Sequence, residues 1–239
     1  MSSRRLVLIL AASGIAVASL IGWWYSTHGD PVDLLSSDSV VEQRRGVAVL
    51  SKQADTSSGL ERIARTVQNE NPSVACMGLQ ALATSVEPDK QLPPEAVKIV
   101  ESATRDPREV VKVAAIQTLE ATTPPLPEDS TVPNIVLKAF VTSKSAQTRS
   151  VAANALAKFQ HWDAMEPLLD ALEDESPAVR GSASMAIRKI LGLDYGFRAN
   201  DPLDKRRAVI ARLRRDWKAQ RAYHELYAKR MRDKRKAQQ

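Results

Sequence analysis

The chain has 239 residues, 44% of them apolar, with nine glycines and few aromatics, a balance that favours helices over a sheet protein. One cysteine, Cys76, excludes an internal disulfide and a multi-cysteine metal site, and three scattered histidines argue against structural zinc. The net charge of +6 is uneven: residues 204–239 hold 14 basic against 4 acidic side chains, so the body between the ends is mildly acidic and the basic pI describes a tail.

Residues 1–5 form a short basic N-terminus carrying Arg4 and Arg5. Residues 6–25, LVLILAASGIAVASLIGWWY, run without a charge and as a helix span ~30 Å, the hydrocarbon thickness of a bilayer. Trp23, Trp24 and Tyr25 close the segment where amphipathic rings favour headgroups. The expectation is a single-pass anchor with its N-terminus cytoplasmic and the remaining chain outside, periplasmic in a bacterium. A cleaved signal peptide is the competing reading, since Ala16-Val17-Ala18 has the small-x-small pattern. Gly14, Ala18 and Gly22 recur every four residues, a spacing that lets two membrane helices approach and suggests a weak homodimer. Residues 26–33 read as a linker.

From residue 34 to 200 the sequence repeats. Leu50, Leu82, Leu119, Leu156 and Ile187 are anchors, and four residues before them stand Gly46, Gly78, Ala115, Ala152 and Ala183, all small. Thirteen before come Ser37, Asn69, Asp106, Ser143 and Asp174, each able to cap a helix or turn. Positions eight before, four before and at the anchor share one face of a helix, and the small middle residue admits a close neighbour. A second amphipathic helix lies between successive anchors, marked by Leu60, Ile63, Ala64 and Val67, by Ala96, Val97 and Val100, by Ile135, Val136, Ala139 and Phe140, and by Ala164, Leu168, Leu169 and Leu172. A two-helix unit of this size cannot bury its apolar face alone. The fold class is therefore all-α: an α-solenoid of about five helix pairs, preceded by one transmembrane helix and followed by a long basic C-terminal helix.

The stretches DESPAVRGSASMAI (174–187) and DAMEPLLDALEDESPAVR (163–180) resemble the HEAT-repeat (ARM-like) family, in its short bacterial form, over roughly residues 34–192. The resemblance implies a ladder of acidic and basic residues between units, for which Asp106 with Lys112 and Asp174 with Arg180 fit the two columns, while the first two repeats depart from it. It also implies a protein-binding scaffold without catalysis. Some HEAT-like proteins are chromophore lyases, so an enzyme of that kind is the alternative.

Two proline-rich insertions, residues 85–95 and 121–133, hold seven of the thirteen prolines and are expected side by side on one rim. Residues 201–239 read as a capping helix and basic tail. Ile210, Leu213, Trp217, Gln220, His224, Tyr227 and Met231 follow a three-four alternation whose apolar half, through Trp217, covers the end of the array. Beyond Met231 the chain should fray. The basic tail comprises Arg214, Arg215, Arg221, Lys229, Arg230, Arg232, Lys234, Arg235 and Lys236, a second candidate function being a tether to anionic surfaces. A tail without a readable fold argues against nucleic acid.

No phosphate-loop, dinucleotide or nucleophile-elbow motif occurs, and the His-Glu of YHEL (223–226) lacks the second histidine of a zinc helix. No catalytic, metal or cofactor residue is assigned. An unidentified protein partner is expected on the inner surface, lined by the second helices, with Glu61, Arg65, Lys98, Glu101, Lys138, Glu166 and Asp170 as candidate contacts because each lies off its helix's apolar face.

Overall fold

The computed structural model describes residues 30–86, 91–121 and 130–236, with side chains to residue 223. The anchor segment 6–25, with Gly14, Ala18 and Gly22, lies outside them, as do the middles of both proline-rich insertions. Among the described residues no helix is long and apolar enough to cross a membrane. These residues form eleven α-helices and two 3-10 turns, with no strand. The chain divides into two compact units, Met1–Ser85 and Val86–Gln239.

The first unit holds α1 (Pro31–Leu35), α2 (Val40–Gln53), α3 (Ser57–Val67) and α4 (Pro72–Ser85). Residues 31–33, read from sequence as linker, belong to α1, which the Asp30 carboxylate caps at the Val32 amide (2.9 Å). Pro31 and Leu35 of this short helix are buried. It packs on α2, and α4 packs on α2 and α3. The small column explains the closeness. A Cβ on Gly46 would stand 2.8 Å from both Leu35 Cδ2 and the Pro31 carbonyl oxygen, and one on Gly78 would stand 3.0 Å from Thr66 Cγ2.

The second unit comprises α5 (Pro94–Ala103), α6 (Glu109–Glu120), α7 (Val132–Thr142), α8 (Ala146–Phe159), α9 (Met165–Asp170), α10 (Pro177–Leu191) and α11 (Leu203–Lys236). Trp162–Ala164 and Ala171–Glu173 extend α9 as 3-10 turns. Helices α6, α8 and α10 pack side by side in one layer, with α5, α7 and α9 paired to them in turn. Each anchored helix packs more extensively on the amphipathic helix before it than on the one after it. The natural pairs are thus α1–α2, α3–α4, α5–α6, α7–α8 and α9–α10, one helix out of phase with the pairing read from the anchors. The proline-rich insertions accordingly fall between successive pairs.

All five anchors and all five small residues are buried. Burying each large anchor stabilises its layer by roughly 1.5–3 kcal/mol, and the small residue four positions earlier sets how closely the next helix can approach. The turn column is equally regular. Ser37, Asn69, Asp106, Ser143 and Asp174 each accept a hydrogen bond from the backbone amide two residues on, at 2.8 to 3.2 Å. These are Asx and serine turns, which aim the chain into the following helix.

The polar ladder differs from the one the resemblance implies. Asp174 is paired with Arg149 of the preceding helix pair, through Nε and Nη2 at 2.9 Å each, and not with Arg180. Arg149 also donates to the Ser143 and Lys144 carbonyls, and Arg180 repeats that geometry on the Asp174 and Glu175 carbonyls. With no further layer to meet, Arg180 Nε bonds the Ala199 carbonyl of the terminal loop at 2.9 Å. Asp106 is held by Arg108 two residues on, in place of Lys112, and that hydrogen bond is the main cause that keeps its carboxyl below the usual range. Glu109 joins α6 to α8 by accepting from the Thr148 hydroxyl. Burial works most strongly against its ionisation, but bonds from Ser145 and Thr148 outweigh it and lower its pKa. Ser150 and Ser182 Oγ, 2.8 Å apart, join α8 to α10.

Candidate functional site

On one side of the second unit α6 packs directly on α8, whereas on the other α5 and α7 stand apart across a cleft of about 640 Å³. Leu92, Val97, Val132 and Ile135 supply its apolar lining, and Lys98, Glu101 and Lys138 its charged one. Three of the seven candidate contacts therefore converge on one cleft. Gln91, Leu92, Ser130 and Thr131, at the described ends of the two proline-rich insertions, line it too. These described ends meet the surface because both lead into helices of the same layer.

The charges within the cleft are not equivalent. Glu101 is ion-paired with Arg105, four residues on in the turn that follows α5. Lys98 and Lys138 are exposed and have no ion-pair partner among the described residues. The uncompensated charge facing the cleft is thus positive. Asn134 at its edge is 3.2 Å from His161 Nε2. Burial pushes the His161 imidazole below its ordinary value, with Asp163 opposing.

Two other candidates, Glu166 and Asp170 on α9, are not open to a partner in the same way. Helix α11 runs antiparallel to α9 and pairs its arginines with that helix's acids: Arg207 with Glu173 (3.5 Å), Arg214 with Asp170 (2.7 Å) and Arg221 with Glu166 (3.4 Å). The arginines recur every seven residues, so all lie on one side of α11. Between them Ile210, Leu213 and Trp217 are buried. The Trp217 ring stacks on Trp162 at 5.7 Å, and its Nε1 donates to Glu166 at 2.9 Å. Trp162 was not singled out from sequence. Its position beside His161, just before an apolar run, gave no signal that a residue 55 positions on would stack on it.

Glu61 and Arg65 are exposed on α3 in the first unit, apart from any cleft described for the second. A separate groove of about 500 Å³ in the first unit lies between α2 and α4, lined among others by Val40, Val47 and Met77. Arg215 is exposed on α11. Lys229, Arg230, Arg232, Lys234, Arg235 and Lys236 fall where only backbone is described, in a helix that continues to Lys236 past the expected fraying point at Met231. With neither Gly nor Pro after Pro202, nothing local stops it. Cys76 is half-buried, less enclosed than its place on an anchored helix suggested.

The family model described as HEAT repeats matches residues 133–221, from the start of α7 through the docked half of α11. No curated protein matches the chain. A crystal structure of an engineered protein is similar at 20% identity with a TM-score of 0.45, covering 67% of this chain and 77% of that one. The boundaries of the HEAT match agree with the pairing seen in the structure: it opens on α7, the first member of a pair, and ends at Arg221, the last arginine bound to α9.

Proposed function

We propose that this protein is a membrane-held HEAT-repeat scaffold that binds other proteins, without catalysis of its own, and that the α5–α7 cleft is its docking surface. The cleft itself carries the reading: Pro94 and Val97 present apolar surface over a floor of buried Leu92, Val132 and Ile135, beside exposed lysines with no ion-pair partner among the described residues, in the layer whose other end the chain covers with its own helix. Concave surfaces on stacked helix pairs bind extended partners over several layers. The segment 6–25 supports the membrane attachment, since twenty uncharged, mostly apolar residues match a bilayer core.

A photo-reactive side chain placed at Lys138 in the full chain tests the docking role. Discrete, reproducible protein adducts are expected in cells at this position and not at Lys189 on α10. Identical adduct patterns at both positions, or none at either, would defeat it. Carbonate-resistant sedimentation of the full chain with membranes is the parallel test of attachment.

The tether reading for the C-terminal helix has less charge to draw on than its composition suggested. Arg207, Arg214 and Arg221 are occupied by Glu173, Asp170 and Glu166.

A further inference from the structure

We infer that the α5–α7 cleft takes an extended acidic segment of a partner protein, anchored by apolar side chains. This deepens the docking reading above and rests on it. The first observation is charge. Glu101 is ion-paired with Arg105 just past the end of its helix, which leaves Lys98 on α5 and Lys138 on α7 as the unpaired charges of the lining, one on each wall. Carboxylates entering between them gain from both, whereas a basic segment is repelled by both.

The second observation is what the cleft can hold. A volume of about 640 Å³ falls in the range that admits a few side chains, while a whole helix needs a trough ~10–12 Å across. An extended chain fits by placing alternate apolar side chains on Pro94 and Val97, above the buried floor of Leu92, Val132 and Ile135. Its main-chain groups must also find partners, and the Ser130 and Thr131 hydroxyls stand on the lining for them.

The third observation is the far end of the same layer. There α9 presents Glu166, Asp170 and Glu173, and the segment that covers it carries arginines with Ile210, Leu213 and Trp217 between them. Apolar anchors flanked by charges opposite to the layer's own are how this chain covers that surface. At α5–α7 the layer's sign is reversed, so the matching occupant is acidic and apolar.

Selection from a displayed library of random peptides on the full-length chain tests the inference, followed by binding to Lys98→Glu/Lys138→Glu and to the control Lys189→Glu. All three lysines are exposed, so unchanged thermal unfolding will show that the variants fold. The expected result is enrichment of acidic-apolar peptides whose affinity falls roughly tenfold or more in the double variant and is unchanged in the control. Basic or neutral peptides, or peptides indifferent to the double variant, would overturn the acidic occupant while leaving a protein-docking role intact. No selected peptide, with no adduct at Lys138, would remove both. Binding of phosphatidylglycerol vesicles that needs Lys98 and Lys138, with no peptide selected, would replace the peptide by a lipid surface and overturn the inference.

Discussion

The α9 end of the second unit and the α5–α7 cleft belong to one layer of helices and are treated in opposite ways. At α9, three acids and an apolar strip are covered by a helix of the same chain, with Trp217 as the central anchor. At α5 and α7, among the described residues, no helix of the chain lies over the two exposed lysines and the cleft between them. A stacked array always ends with an exposed apolar face, and covering it is a requirement of stability. An uncovered cleft inside the array meets no such requirement. That contrast separates the part of the layer that holds the fold from the part available to a partner.

The strongest way to break this contrast is to remove the closing anchor. Trp217→Ala deletes a buried ring stacked on Trp162 and leaves Glu166 short of one donor. A loss of about 3–5 kcal/mol is expected in denaturant unfolding, with no change in ligand binding at the cleft once the variant is folded. Next is the joint between layers. Arg149→Met strands the largely buried Asp174 carboxylate and removes two bonds to carbonyls, at a cost of roughly 2–4 kcal/mol by the same assay. Ala152→Leu is similar in kind, since overfilling a fully buried small position costs about 1–3 kcal/mol.

The charge pairs of the closed end are worth less. Arg214→Glu sets two carboxylates side by side at a half-exposed site. The expected destabilisation is near 1 kcal/mol, shrinking as salt is added, and a salt-independent loss would count against the pairing.

The smallest expected effect is on pH. His161 has a lowered pKa in the fold, so below its ordinary value of 6.5 the unfolded chain binds the proton more readily. Stability then falls as pH falls through that region, by less than about 1 kcal/mol. His161→Gln should flatten the change in melting temperature there. Asp106 and Glu109 act lower: their depressed values contribute stability above the ordinary carboxylate range that is lost on acidification.

Much of this fold was legible because the repeat writes each physical requirement in its own column. The five residues thirteen before each anchor all make the same turn bond, and the five small residues are all buried. The pairing phase was not legible. Small residues admit a close neighbour but do not say whether it precedes or follows, and Gly78 turns out to face Thr66 and Val67 of the preceding helix. The ladder was misassigned for a related reason: Arg149 and Arg180 occupy the same column, and only the next layer decides which acid each one meets.

The site was legible in part. Lys98, Glu101 and Lys138 were recognisable as off the apolar faces, but their convergence depends on α5 and α7 standing apart. Glu166 and Asp170 passed the same test and are nonetheless ion-paired within the chain, because nothing short of tertiary structure brings residues 207–221 back onto α9. The seven-residue spacing of Arg207, Arg214 and Arg221 was the available signal. It was read as tail charge because the tail was counted whole.

Hydrogen exchange along the full chain tests the covering of α9 most directly. Amides of residues 203–221 should be protected as strongly as those of α10, and Trp217→Ala should erase that protection while leaving α5 and α7 unchanged. Free exchange across 203–221 in the unaltered protein, or protection that survives loss of Trp217, would contradict the account.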